Sequence, residues 1–194
     1  PLTDAHWAQI AENATWTQTR MNLNTFARHN VFDKPDRVKA VAEKLQDENQ
    51  IKRAKVFPYQ VFTAYQNVDT SVPVKVTMAL QKSADLALTN IPEFEGKAYV
   101  MVDTSGSMSN PVTGQRGSVT TKTRCIDAAA VVASAILRKN PDTEVIPFDT
   151  SVHKARLNPL DSIVTNAKML ADFGGGGTNC SEALASVNRK NGKG

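Results

Sequence analysis

The chain has 194 residues, of which 41% are hydrophobic and 22% are charged, and its formal net charge is +4. These proportions are typical of a soluble globular protein of one or two domains. No apolar run approaches the roughly 18 residues that span a membrane, which argues against an integral membrane protein. The mild positive charge permits an anionic partner without requiring one.

Residues 1–92 have the pattern of helices separated by short polar breaks. Apolar residues recur at helical spacing, and prolines stand at or just before the starts of three of the helices. Five helices joined by short loops predict an α-solenoid, here the end of a HEAT-like α-helical repeat array. The predicted helices span residues 4–13, 17–29, 36–50, 59–66 and 74–90.

The pattern changes at residues 92–96, Pro-Glu-Phe-Glu-Gly. Beyond this boundary strands and helices alternate, which predicts the first half of a doubly wound, Rossmann-like α/β sheet in residues 97–194. A polar, Gly-containing stretch at residues 116–122 predicts an exposed loop at the ligand face. The predicted strands span residues 97–102, 143–148 and 152–157, and the predicted helices span residues 122–138, 161–172 and 179–190.

An Asp-x-Ser-x-Ser motif follows the first predicted strand directly. Its members are Asp103, Ser105 and Ser107. They place one carboxylate and two hydroxyls at the carboxyl edge of the sheet, where open α/β folds bind their ligands. Carboxylate and hydroxyl oxygens are hard ligands that suit Mg²⁺. The motif therefore predicts a divalent-metal site.

A second candidate loop consists of four glycines, residues 174–177, followed by Thr178. Four glycines let the backbone pass close to a bound ion or to another loop, and Thr178 would add a third hydroxyl. The alternative is a flexible linker followed by a Thr that caps the next helix. Together with the first motif, the loop favours the ligand interpretation.

The order of these elements resembles a von Willebrand factor A domain, whose metal-ion-dependent adhesion site (MIDAS) takes Asp-x-Ser-x-Ser from one loop and Thr from a second. Asp103, Ser105, Ser107 and Thr178 match those positions, so the resemblance implies that they bind Mg²⁺ or another divalent cation. The family also supplies an Asp from a third loop, for which the sequence has no counterpart before Gly194. We therefore expect a fragment or part of a split protein. Either a second chain completes the sheet, or the natural protein is longer.

Segments of residues 1–92 resemble the TROVE module of Ro autoantigen proteins. In that family a ring of helical repeats is followed by a von Willebrand factor A domain, and this chain has the same order. The telomerase-associated proteins share the pairing and are an alternative. The segments that carry the resemblance are Arg20 to His29, Val56 to Gln60, and Ala79-Leu80 with Ala87-Leu88.

The resemblance to the Ro family implies an RNA-binding scaffold. It would bind small noncoding, Y-like RNA on the outside of the ring and single-stranded ends of misfolded RNA in its hole. The resemblance also implies a protein partner at the metal site, such as an exonuclease. The implied assembly is a cytoplasmic ribonucleoprotein that binds neither membrane nor DNA.

Five basic residues are candidates for RNA contact: Arg28, His29, Lys52, Arg53 and Lys55. Cations attract phosphates, and that attraction weakens as salt rises. The alternative is that these residues are solvated helix ends, where cations suit the helix dipole. Nearby aromatic residues could stack on bases, although their spacing favours the core: Phe57, Tyr59, Phe62 and Tyr65.

We expect no enzymatic activity. None of the three histidines, His6, His29 and His153, lies beside a nucleophile motif such as Gly-x-Ser-x-Gly. The glycine loop lacks the Lys of a phosphate-binding loop.

A metal-dependent protein–protein adhesion module without RNA binding is the alternative function. In that case an open position on the ion would accept a carboxylate from a partner protein. Cys125 and Cys180 lack metal-ligand spacing and are expected to be buried, reduced thiols.

Overall fold

The chain divides into two units, residues 1–90 and residues 91–194. The computed structural model describes residues 2–113 and 121–190. Most of the loop expected at residues 116–122 therefore lies outside the described residues. Within the described part, no helix is long and apolar enough to cross a membrane.

The first unit is helical, and its first helix begins as the sequence predicts. The Thr3 hydroxyl accepts a hydrogen bond from the His6 amide and caps that helix. The helices are α1 (Asp4–Asn13), α2 (Trp16–Met21), α3 (Leu23–Arg28), α4 (Pro35–Leu45), α5 (Glu48–Arg53), α6 (Pro58–Asn67) and α7 (Val74–Leu86), with 3-10 turns at Val31–Asp33 and Ala87–Asn90.

Two predicted helices are each divided in two. The helix predicted over residues 17–29 breaks at Asn22, whose backbone leaves the helical region and whose side chain donates to the Gln18 carbonyl at 2.8 Å. Such local side-chain bonds compete with the helix. The helix predicted over residues 36–50 ends at Leu45, because the Asp47 carboxylate accepts from the Gln50 amide at 3.0 Å and starts α5.

The core of the first unit lies where α4 and α6 pack against α7. Trp16 is almost completely buried, and its indole Nε1 donates to the Leu45 carbonyl at 3.0 Å. This bond satisfies both the indole N–H and an unpaired carbonyl at the end of α4. The other fully buried large side chains include Leu23, Phe26, Leu45, Ile51, Val61, Val76 and Leu80.

The second unit begins with a parallel strand pair joined by a helix. Its elements are β1 (Tyr99–Asp103), α8 (Cys125–Lys139), β2 (Glu144–Phe148), α9 (Ile163–Ala171) and α10 (Cys180–Lys190). Asp103 lies opposite Phe148 in the register, so both strands end at the same edge. The α8 helix packs against α9 and β1. The helical array followed by an α/β unit agrees with the predicted fold class.

The prediction of a strand over residues 152–157 is wrong. Val152 forms one antiparallel bridge with Phe148, and the His153 amide donates to the Pro147 carbonyl at 2.8 Å. In an antiparallel ladder, the amide of residue 147 would in turn donate to the carbonyl of residue 153. Proline has no N–H, so the ladder stops there.

Candidate metal centre

Three loops meet at the carboxyl edge of the two strands. We call residues 103–107 the Asp103 loop and residues 174–177 the glycine loop; the third follows β2 at residues 149–151. Thr104 joins the first to β2, because its amide and its hydroxyl both donate to the Phe148 carbonyl, at 2.7 and 2.9 Å. Thr104 is buried, so these bonds are shielded from water.

Within the Asp103 loop, the three motif residues are held close together. The Ser105 amide donates to Oδ1 of Asp103 at 2.8 Å, and the hydroxyl oxygens of Ser105 and Ser107 lie 3.2 Å apart. Octahedral Mg²⁺ with bonds of about 2.0–2.1 Å holds neighbouring ligands roughly 2.9 Å apart. The spacing of the two hydroxyls therefore fits neighbouring positions around a small divalent cation.

The glycine loop is bonded to the Asp103 loop in both directions. The Gly106 amide donates to the Gly176 carbonyl, and the Gly175 amide donates to the Thr104 carbonyl, both at 2.9 Å. Gly174 has φ +83°, and a Cβ there would lie 2.2 Å from the Thr104 carbonyl oxygen. Only glycine tolerates both the conformation and the close approach.

Thr178 lies between Gly176 and Asn179, and both of these residues are hydrogen-bonded to Asp149 in the loop after β2. The Asn179 amide donates to the Asp149 carbonyl at 2.7 Å. The residue directly before α10 is Asn179, whose side-chain oxygen accepts from the Ser181 amide at 3.3 Å. Helix capping therefore does not account for Thr178, which is exposed beside the glycine loop.

Asp149 is a buried carboxylate at this edge that was not among the candidate residues. The Ser151 amide, which donates to its Oδ1 at 3.1 Å, lowers the pKa of Asp149, and the Gly176 amide and His153 lower it further, against the opposing effect of burial. Asp149 follows β2 as Asp103 follows β1. This shared position after a strand could have identified Asp149 from the sequence. The contact between Asp149 and Gly176 could not be inferred from their spacing in the sequence.

His153 contacts this carboxylate. Its Nε2 lies 3.0 Å from Oδ1 of Asp149 without the alignment of a hydrogen bond. The imidazole also stacks on Phe173, with ring centroids 5.7 Å apart. Phe173 directly precedes the glycine loop, so His153 contacts the residue from which that loop begins.

Arg28 and His29, two of the RNA candidates, make local contacts at the end of α3. His29 stacks on Trp7 with ring centroids 4.9 Å apart, and its Nδ1 lies 3.4 Å from Oδ1 of Asp4. The Arg28 guanidinium donates to the Thr25 hydroxyl at 3.2 Å. Arg28 remains exposed, whereas His29 is half-buried.

The other three RNA candidates, Lys52, Arg53 and Lys55, are exposed at the end of α5. The helix ends in a Schellman motif, in which the Lys55 amide donates to the Lys52 carbonyl at 3.1 Å and the Val56 amide to the Ile51 carbonyl at 3.2 Å. Lys55 occupies the left-handed position of this motif, with φ +49°. Glycine usually occupies that position.

The four aromatic residues that follow α5 differ in burial. Phe62 is in the core at 9% exposure, as expected. Phe57, Tyr59 and Tyr65 are 36–39% exposed, so the expectation of core positions is wrong for them. Their partial exposure leaves ring surface accessible beside the basic helix end.

Comparisons with known proteins match both the second unit and the fold of the chain. Residues 97–191 match the family model described as the Ro60 von Willebrand factor A domain. The chain is also similar to the solved structure of the Ro (RSR) protein of Deinococcus radiodurans, with a TM-score of 0.72, 22% identity and 91% of this chain covered. This chain spans 37% of that one. No curated protein matches the sequence.

Proposed function

Because the chain belongs to the Ro family, with a Ro60-type von Willebrand factor A domain over residues 97–191, we propose that it is part of an RNA-binding scaffold. The observation that carries the proposal is the order of the two parts: a helical array is followed by the matched domain, and together they have the fold of the Deinococcus Ro protein. The RNA would be noncoding, Y-like RNA and the single-stranded ends of misfolded RNA. The scaffold would bind RNA without enzymatic chemistry.

The exposed end of α5 is the best-supported RNA contact in the first unit. Lys52, Arg53 and Lys55 form no ion pair with the described residues, so their charges are available to phosphates. Phe57 and Tyr59 follow within four residues and are partly exposed. Cations for the backbone and aromatic rings for the bases are the combination that binds single-stranded nucleic acid.

The test is RNA binding by the full chain at two salt concentrations. The variant Lys52→Ala/Arg53→Ala/Lys55→Ala is expected to bind structured and single-stranded RNA more weakly. Three lost phosphate contacts would reduce the slope of log affinity against log salt by about 2 for single-stranded RNA.

A charge-matched control is available on the same unit. Lys34→Ala/Lys75→Ala/Lys82→Ala also removes three exposed cations, but Lys34 lies directly before α4, and Lys75 and Lys82 lie on α7. If both triple variants lose the same affinity, the attraction is diffuse and the α5 site is wrong. If neither the wild type nor the variants bind RNA, the scaffold proposal fails.

We also propose that Asp103, Ser105, Ser107 and Thr178 hold Mg²⁺ or another divalent cation. No cluster of three or more His, Cys, Asp or Glu side chains is placed to hold a metal within residues 2–113 and 121–190. The support for the proposed site is instead the hydroxyl oxygens of Ser105 and Ser107, which lie 3.2 Å apart in the Asp103 loop. A bound ion would offer an open position to a carboxylate of a protein partner, such as an exonuclease.

Calorimetric titration with Mg²⁺ and Mn²⁺ tests the metal site. Asp103→Asn removes the only negative charge among the four ligands and is expected to abolish measurable binding. Asp142→Asn is the control, because Asp142 is exposed and precedes the opposite end of β2. Equal affinity of the two variants would contradict the proposed ligands.

The exposure of Ser107 and Thr178 favours one other function. An accessible ion would also serve a protein adhesion module that does not bind RNA. Absence of RNA binding at both salt concentrations, together with a normal metal titration, would select that function.

A further inference from the structure

Asp149 is buried, with 6% of its surface exposed, and its partners lie on both sides of Thr178. Oδ2 accepts from the Gly176 amide at 3.3 Å, and the backbone carbonyl accepts from the Asn179 amide at 2.7 Å. A buried carboxylate is costly unless it is hydrogen-bonded. These bonds therefore fix the chain two residues before and one residue after the proposed threonine ligand.

Gly176 connects this carboxylate to the Asp103 loop. Its amide donates to Asp149, and its carbonyl accepts from the Gly106 amide at 2.9 Å. The approach is close, because a Cβ on Gly176 would lie 3.0 Å from Oδ2 of Asp149. A single residue is thus bonded on one side to Asp149 and on the other to the loop that carries the serine ligands.

The residue before the glycine loop contacts a neighbour of the same carboxylate. His153, which lies beside Oδ1 of Asp149, stacks on Phe173 immediately before Gly174. Asp149 or its neighbour His153 therefore contacts the glycine loop at Gly176 and its flanking residues at Phe173 and Asn179.

We infer that Asp149 is a positioning residue, which holds the glycine loop against the Asp103 loop and thereby places the Thr178 hydroxyl for the cation. This inference rests on the proposed metal site. Asp149 acts through the loop and does not coordinate the ion. Its effect on the loop is consequently present before any metal binds.

The test compares Asp149→Asn with the Asp142→Asn control in the full chain. In EDTA, amide hydrogen exchange at Gly175 and Gly176, followed by NMR, is expected to be faster in Asp149→Asn and unchanged in the control. In the metal titration, Asp149→Asn is expected to bind about 10-fold to 100-fold more weakly, the usual effect of removing a group that orients a metal ligand.

A second variant applies if Asp149→Asn does not fold. Gly176→Ala keeps the carboxylate but places a methyl group against it, and it is expected to change exchange and metal affinity in the same direction. Circular dichroism establishes which variants are folded.

Each outcome decides the inference. Unchanged exchange in EDTA overturns it, even where metal affinity falls, because Asp149 would then act as a ligand or through its charge alone. Faster exchange with unchanged metal affinity also overturns it, because the loop would not place a ligand. If the wild type binds no metal, the proposed metal site fails, and the exchange measured in EDTA still decides whether Asp149 holds the loop.

Discussion

Under the proposed function, Lys55 serves RNA binding at the expense of stability. It occupies the left-handed position that ends α5, where an L-residue costs about 1–2 kcal/mol relative to the right-handed region. Backbone strain of this kind concentrates at functional sites. Its position among exposed cations supports a role in binding RNA.

Replacing Lys55 by Gly is expected to raise the free energy of unfolding by about 1 kcal/mol, because glycine adopts this conformation without strain. The same change is expected to weaken RNA binding, since one cation is lost. Urea unfolding and RNA titration measure the two effects.

Lys52→Gly is the matched control for that experiment. It removes the same charge but places glycine inside α5, so stability is expected to fall by about 1 kcal/mol while RNA binding also weakens. RNA affinity that follows stability in both variants would contradict a direct role for Lys55.

At the scale of elements, the sequence predicted most helices and both strands of the parallel pair, because apolar periodicity and proline positions are local signals. The failures have local causes that a periodic pattern does not report. Asn22 breaks a helix through its own side chain, and Pro147 stops a strand ladder at His153. The Asp-x-Ser-x-Ser motif was recognisable because it follows a strand directly. Asp149 was missed because its partner Gly176 is distant in sequence.

The glycine loop provides a prediction at this scale. Gly174→Ala is expected to destabilise the protein more than Gly175→Ala does. Both positions have positive φ, so both variants suffer strain of about 1–3 kcal/mol. At Gly174 the added Cβ would also meet the Thr104 carbonyl oxygen at 2.2 Å, whereas no atom lies within 4 Å of a Cβ at Gly175.

Urea unfolding of the two alanine variants measures this difference, and metal titration measures its effect on the site. Gly174→Ala is expected to displace the loop and weaken metal binding, while Gly175→Ala retains most of it. Equal losses would show that the contact with Thr104 does not set the position of the loop.

At the scale of the whole molecule, the helical region and the α/β region were distinguishable because their hydrophobic patterns differ in period. The RNA candidates all belong to the first unit, and the proposed metal ligands all belong to the second. The two proposed activities therefore use different sets of residues and can be tested separately.

Loss of the metal site is expected to leave RNA affinity unchanged. Mg²⁺ also screens RNA phosphates, so the appropriate comparison is wild type against Asp103→Asn at one fixed Mg²⁺ concentration. Weaker RNA binding by Asp103→Asn would show that the ion contributes to the RNA site. RNA binding and metal binding would then not be independent.

The two backbone bonds between the Asp103 loop and the glycine loop have a practical consequence. The chain continues from the glycine loop into α10, whose first residue, Cys180, carries an exposed thiol, so the expectation that Cys180 is buried is wrong. Cys125, the other cysteine, is half-buried and therefore less accessible than Cys180. A fluorophore attached to Cys180 would stand three residues after Gly177 and would test the proposed binding of a cation or a partner through an optical signal, without an engineered attachment point.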